Sequence, residues 1–555
     1  MKALNKFFIS AGVVAASLTM GSCVNDLDLT PTDPSSVTAA VFDQDPEGYM
    51  DKVLADVYLS FCVHGPNNNS QVNGFDGGMS TFQRALYNLE EIPSDEADWL
   101  SPNDAPIYAL QFGVVSADNA AVFGAYSRLI INVALCNDFI RTVNDGLFKL
   151  PDNLKSKAEE NIRQCKILRS ACYFYLINFF GDVPYADETA PMGAVAAQLP
   201  RAEVFSLVTK TLEDVIAEYG NGGNKAAAYG YVGKDVAQGL LAKFYLNAEV
   251  FTGTAAWDKC LAVSKDLINA HKGAGFKNSG LAEHYHQNFA ANNKNVTIGG
   301  GSGANEVLWI LPEDTPNLIS YGGATLMLLG WLNKDLSTEY NAGNGWICMT
   351  ARKQFVEKME WTDRPTCSRS NDDRLSLWKT AADGFSIENG NLDQASYMEN
   401  GYAAVKLYNW NMNADGTWDY DNRPAFDGDK SIQCGWPMLR LSEIYLTAAE
   451  AAMKGAGSKS EALEYVNLIR ERAGLSPWTD AQLTETSLQD ERCRELYTEC
   501  TRRTDLIRYG KWISGYTWNW KGNSRYGTDF SPNFNLYPIP ATIIAQSSYK
   551  QNPGY

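Results

Sequence analysis

Apolar residues recur at helical spacing in paired stretches broken by glycine, and this pattern constrains the fold of the chain more than any other feature. Val236, Leu240, Leu241, Phe244, Tyr245 and Ala248 mark one stripe; after Gly253, Trp257, Leu261, Ser264, Leu267 and Ile268 mark the next. Residues three and four apart share one side of a helix, so each stripe is a buried face. The unit returns near the carboxyl end, where Leu441, Ile444, Tyr445, Ala448, Ala449 and Ala452 precede Gly455-Ala456-Gly457. Ser458 with Glu461 then reads as a capping box into a helix over 462–473. Thr486 with Gln489 predicts a second box ahead of a helix over 490–508. Upstream, helical spacing runs over 47–63 and 117–145. The stretch 157–180 starts amphipathic and becomes apolar on all sides, so its second half should be buried, and Gly181-Asp182-Val183-Pro184 should stop it. Pro200 and Glu203 open a helix that ends near Tyr219-Gly220.

Paired helices of about 15 residues with small Ala and Gly contacts resemble tetratricopeptide units. The expected fold is therefore mostly α: tetratricopeptide-like pairs forming an α-superhelical body. At 555 residues the chain has room for several domains or one large body. Lys and Arg number 47 against 65 Asp and Glu, a formal net charge of -18. A nucleic-acid binder needs a basic face to displace counterions, so nucleic acid is not an expected partner. Of the 11 cysteines, Cys165/Cys172 and Cys493/Cys500 lie seven apart on helical patterns, ~10 Å along the axis. That exceeds disulfide reach, and with no C-x-x-C the ten cysteines after Cys23 read as buried free thiols.

The amino terminus sets the compartment. Lys2 and Lys6 precede an apolar run from Phe7 to Leu18, shorter than the ~20 residues a bilayer span needs. It ends in Met20-Gly21-Ser22-Cys23, which resembles a bacterial lipobox: cleavage before Cys23 and acylation of that residue. Removal of residues 1–22 takes away two Lys and no acid, moving the charge from -18 to -20. No later stretch approaches a membrane span, so the expectation is a lipid anchor rather than a crossing. Residues 23–40, acidic and Pro-containing, read as an extended tether.

Periodicity fades between 281 and 436. This stretch holds eight of the 14 Trp, namely Trp309, Trp331, Trp346, Trp361, Trp378, Trp410, Trp418 and Trp436, together with Gly299-Gly300-Gly301-Ser302-Gly303. It reads as a large, irregular, loop-rich insertion between an amino-terminal helical part (41–280) and a carboxyl-terminal helical part (437–555) of the same body. Trp and Tyr faces flanked by Asn, Asp and Arg suit a sugar, the ring covering C–H surface while the polar groups meet hydroxyls. Catalytic and metal signals are weaker. A glycosidase needs two facing carboxylates, whereas Asp95, Glu96 and Asp98, like Asp372 and Asp373, read as solvated acidic loops. His284-Tyr285-His286 after Glu283 lacks a third zinc ligand at a recognisable spacing. Asn411-Met412-Asn413-Ala414-Asp415-Gly416 mimics the start of a calcium loop but has Asn422 where the bidentate Glu belongs. Neither metal nor cofactor is expected.

Several motifs together resemble the SusD/RagB family of surface lipoproteins in Bacteroidetes. They are Cys23-Val24-Asn25-Asp26-Leu27-Asp28, the turn Gly181-Asp182-Val183-Pro184-Tyr185, and Leu439-Arg440-Leu441-Ser442-Glu443-Ile444-Tyr445-Leu446 with Ala448-Ala449-Glu450-Ala451. Val466-Asn467-Leu468-Ile469-Arg470, Asp490-Glu491-Arg492, Asp505-Leu506-Ile507-Arg508, Leu536-Tyr537-Pro538-Ile539-Pro540 and Asn552-Pro553-Gly554-Tyr555 complete the set. The resemblance implies a non-catalytic lipoprotein on the outer membrane, facing the cell exterior. It would capture an oligosaccharide and pass it to a SusC-like TonB-dependent transporter, over which it sits as a lid. Peptide or host-glycoprotein cargo on the same architecture is the alternative, and a glycoside hydrolase a distant one. Arg492, Glu495 and Asp505 would be fold-holding ion pairs. The implied ligand residues are Arg84, Trp99 and Asn103 from the first loop and Tyr321, Trp331 and Trp346 from the insertion.

Overall fold

The computed structural model describes residues 45–63, 78–191, 193–220, 228–300, 304–318, 320–361, 371–379, 402–426 and 432–555. The leader, Cys23, the tether, Cys367 and residues 301–303 lie outside them. The described chain is mostly helical, as its periodicity requires. Pro46–Cys62 is opened by Asp45, whose carboxylate accepts the Gly48 amide at 2.9 Å. Lys155–Phe180 is buried on all sides from Ile167 onward and stops at Gly181. Successive helices pack in chain order: Ala120–Asn144 on Lys155–Phe180, then Arg201–Tyr219, Lys234–Leu246 and Trp257–His271. Trp257–His271 then packs directly on Leu441–Ala451, which packs on Lys459–Arg472. The helical body thus closes across the aperiodic stretch, which leaves it and returns.

Ala120–Asn144 is long and apolar enough to cross a membrane, contrary to the expectation that nothing after the leader approaches a span. Within this fold 61% of its most apolar window is buried, because it serves as a core helix between neighbours. All described cysteines are free, and Cys165 and Cys172 are buried.

The carboxyl-terminal helices differ from expectation in two details. Ser458 does accept the Glu461 amide (3.1 Å), but the Glu461 carboxylate turns to Lys265 (2.7 Å) and the Tyr465 hydroxyl (2.9 Å). The next box is Thr484 with Ser487, two residues earlier than predicted. The helix it opens, Glu485–Leu496, does not continue to 508; the chain breaks and resumes as Arg502–Arg508. Buried groups from elsewhere cause the break. Lys406 Nζ donates to the carbonyls of Glu495 (3.1 Å) and Tyr497 (2.7 Å). The Thr498 and Thr501 amides donate to the carboxylates of Glu96 (3.0 Å) and Glu91 (2.9 Å).

Strands are short and come in antiparallel pairs. Val307–Leu311 pairs with Trp436–Arg440, Leu311 facing Trp436, and so clasps the root of the insertion. Lys234–Leu246 approaches this clasp closely at Gly239, where an added Cβ would sit 2.5 Å from Leu439 Cδ2. Beneath the clasp lies a buried charged layer. Arg440 meets Glu306 (2.7 Å), Glu495 (3.0 Å) and Glu499 (2.6 Å), while Arg472 shares Glu306 (2.7 Å) and Glu495 (2.6 Å). Arg492 pairs with Asp505 at 2.9 Å, so Arg492, Glu495 and Asp505 hold the fold.

Paired carboxylates in this interior make stability depend on pH. Burial alone would raise Asp95, Glu491 and Asp505, but their arginine neighbours hold all three well below the ordinary carboxylate range. A group whose folded pKa is depressed stabilises above its unfolded pKa, near ~4, and loses that contribution as pH falls toward its folded value. Asp98 has the opposite sign: burial pushes it up to about 6 against the pull of Arg352, so its contribution is lost as pH rises through that value. Urea unfolding midpoints are therefore expected to fall steeply below pH ~4. A midpoint unchanged between pH 5 and 3 would contradict this account.

Candidate functional site

Strand Ala97–Trp99 pairs antiparallel with Met349–Ala351, and the Leu100 amide extends the ladder to the Cys348 carbonyl at 2.7 Å. This seam brings the first loop, with Asn103 exposed on it, alongside the insertion segment that carries Trp346. Helix Ala324–Leu329 supports that segment. The amides of Trp346, Ile347 and Cys348 donate to the carbonyls of Leu329 (2.8 Å), Leu332 (3.2 Å) and Gly330 (2.9 Å).

Tyr321 projects from the turn that opens the same helix and lies on Trp346, with ring centroids 5.1 Å apart and planes at 42°. Tyr321 is 44% exposed and Trp346 is half-buried, so the pair presents an aromatic surface on a fixed base. The turn passes tightly over its neighbour: a Cβ on Gly322 would come within 2.0 Å of the Gly78 carbonyl. Glu313 braces it from below, accepting the Ser320 amide at 3.1 Å. Burial holds the Glu313 carboxyl well above its ordinary pKa. Nothing in the local sequence marks Glu313 for that role.

Two expected platforms are closed to a ligand. Trp331, 1% exposed, belongs to the main core cluster, because the turn after Ala324–Leu329 directs it inward under the seam. Trp99, also 1% exposed, is held by Gln111, which accepts its amide and donates to its carbonyl, both at 3.1 Å. The Arg84 guanidinium covers the Trp99 ring at 4.6 Å, and Arg84 Nε donates to Asn88 at 2.8 Å. Arg84 is itself buried, so it stands behind the site rather than on its surface. Of the six residues, Asn103, Tyr321 and Trp346 present surface at the seam.

The acidic run 95–98 is not a solvated loop, and in the second run Asp372 is buried while Asp373 is exposed. Asp95 binds Arg502 (2.6 Å), Asp98 binds Arg352 (2.7 Å) and Asp372 binds Arg374 (2.9 Å), all buried. These carboxylates are spent on ion pairs and do not face one another across a cleft. His286 Nε2 meets the Asp373 carbonyl (2.8 Å) and Ser376 hydroxyl (2.6 Å), and burial pushes its pKa down to about 4. Among the described residues no cluster of three His, Cys, Asp or Glu side chains is arranged to hold a metal. The stretch resembling a calcium loop is a hairpin, Asn411–Met412 against Trp418–Asp419, in which Asp415 accepts the Thr417 amide at 3.0 Å. Cys348, beside the seam, is pushed up to about 12 by burial and stays a thiol.

The model of the SusD family matches residues 299–555, a span that takes in the clasp, the Tyr321–Trp346 pair and the charged layer. The likeness to SusD proteins extends over the whole chain, as the SusD/RagB resemblance implied. The Starch-binding protein SusD of Bacteroides thetaiotaomicron is 26% identical over 591 aligned residues, covering 100% of this chain and 99% of that protein. Two solved structures share the SusD fold. A SusD superfamily protein from Parabacteroides distasonis has a TM-score of 0.66 at 18% identity, covering 94% of this chain and 100% of its own. Surface glycan-binding protein A from Bacteroides thetaiotaomicron, in complex with laminarihexaose, has a TM-score of 0.65 at 19% identity, covering 91% and 99%.

Proposed function

We propose that this protein is a non-catalytic glycan-binding lipoprotein of the outer-membrane surface, anchored through Cys23, which captures oligosaccharide and delivers it to a SusC-like TonB-dependent transporter. The observation that carries the reading is the Tyr321–Trp346 pair at the seam, with Asn103 exposed on the first loop of the same seam. Stacking of sugar rings on fixed aromatic faces needs no deep pocket, since a few anchors dominate such an interface. The relative's name specifies starch and the solved neighbour holds laminarihexaose, and both support a glucan or related polymer as cargo. Peptide cargo added as a strand would need a free edge at the seam. Ala351, however, faces Ala97 on one side and Tyr402 on the other, its amide donating to the Tyr402 carbonyl at 2.8 Å. In this reading 41–280 and 437–555 form the docking body and 281–436 supplies the ligand surface.

The test is affinity electrophoresis of residues 24–555 through gels holding amylopectin, laminarin or other polysaccharides. Retardation with the polymer left uncut is expected. Trp346→Ala and Tyr321→Ala should each weaken retention by ~5- to 150-fold, the equivalent of ~1–3 kcal/mol for a lost aromatic stacking platform, a scale carried over from nucleic-acid bases. Wild-type migration unaffected by every polysaccharide would overturn the reading.

A further inference from the structure

A second aromatic surface stands on the hairpin formed by Asn411–Met412 and Trp418–Asp419. Tyr420 follows its second strand and is 59% exposed, among the most open large aromatic side chains described. Its ring packs edge-on against half-buried Trp410, centroids 5.2 Å apart. Trp410 does not turn, because its indole N–H donates to the Glu339 carbonyl at 3.0 Å. Tyr408, which donates to the same carbonyl at 3.0 Å, brings its hydroxyl within 3.4 Å of that of Tyr420. Asp419 accepts the amides of Asp421 and Asn422, both at 3.1 Å, and sets the turn that follows Tyr420.

Asn341 ties this hairpin to the segment that ends in Trp346. Its amide nitrogen donates to the carbonyls of Asn409 (2.8 Å) and Pro424 (3.0 Å), one at each root of the hairpin, and its oxygen accepts Arg423 Nε at 2.6 Å. Asn409 returns a hydrogen bond to the Asn341 carbonyl at 2.8 Å. Four residues lie between Asn341 and Trp346, so the chain that links the hairpin's tie point to the first aromatic pair spans at most ~18 Å. Asp421 and Asn422, the two residues that follow Tyr420, are exposed and polar.

We infer that Tyr420 and Trp410 form a second aromatic subsite, engaged by a glycan chain long enough to run beyond the Tyr321–Trp346 pair. The inference rests on the glycan reading above. Two linked platforms make the second contact intramolecular, so the subsite matters for polymers and not for short oligosaccharides. Both platforms are held before the ligand arrives, so little ordering cost offsets the second contact.

The experiment compares wild type, Tyr420→Ala, Tyr420→Phe and Trp346→Ala of residues 24–555. Laminarin and amylopectin are presented in affinity gels, and laminarihexaose and maltohexaose in calorimetric titrations. Tyr420→Ala should weaken retention by the bound polymer at least ~5-fold while leaving hexasaccharide affinity unchanged, and Tyr420→Phe should behave as wild type. Wild-type retention by Tyr420→Ala, with retention lost in Trp346→Ala, overturns the subsite and leaves the glycan reading standing. An equal loss of hexasaccharide affinity in Tyr420→Ala also overturns it, since the two pairs would then be one site. Retention unaffected by either alanine variant, or absent in wild type, overturns both.

Discussion

Arg440→Met is expected to destabilise the protein by about 3–5 kcal/mol, the range seen when one partner of a buried ion network is removed. Arg440 is fully buried, and three carboxylates converge on it from separate parts of the chain. Glu306 stands just before the outgoing strand of the insertion, and Glu495 and Glu499 lie at and beyond the end of Glu485–Leu496. Arg472 and Lys406 remain after the substitution, but each already serves these same acids. Burial has pushed Lys406 down to about 8. Denaturant unfolding followed by tryptophan fluorescence measures the loss. A loss under about 1 kcal/mol would mean that the carboxylates relax to solvent or protonate at little cost.

Trp331→Ala should cost a similar ~3–5 kcal/mol, as expected for truncating a buried indole. Trp331 adjoins residues whose carbonyls, Gly330 and Leu332, hold the Trp346 segment, yet its ring faces the core. The two tryptophans therefore separate by assay. Trp331→Ala lowers the unfolding midpoint and keeps polysaccharide retention in the molecules that remain folded. Trp346→Ala loses retention with little change in midpoint. Equal midpoints for the two variants would show that Trp331 is not the anchor its burial indicates.

The same pair shows where the amino-acid sequence is informative and where it stops. The helices are legible because burial of a helical face imposes a period that can be read locally, as in Lys155–Phe180 with its all-round apolar second half. The aromatic seam has no such local record. Trp99, Trp331 and Trp346 look alike in an aperiodic context, and what distinguishes them is the pairing of Ala97–Trp99 with Met349–Ala351, distant in the chain. The acidic run at Asp95 misleads for the same reason. Its solvated appearance is reversed by Arg502 and Arg352, which no spacing rule connects to it. The helix expected to reach 508 fails because Lys406 claims the carbonyls at its end.

The clasp at the root of the insertion has a consequence for how such proteins diversify. Leu311 and Trp436 face each other across two paired strands, so everything between them departs from and rejoins the scaffold at a single doorway. Length changes in its loops that spare Met349–Ala351, Arg374 and Lys406, which bind the helical body, leave the helices in place, and the closure entropy of a longer loop grows only slowly with its length. A recipient with the same clasp, the same charged layer beneath it and partners for Met349–Ala351, Arg374 and Lys406 would accept the excursion as a cassette. New exposed surfaces would then be acquired by exchange of one contiguous gene segment, with the helical body inherited intact.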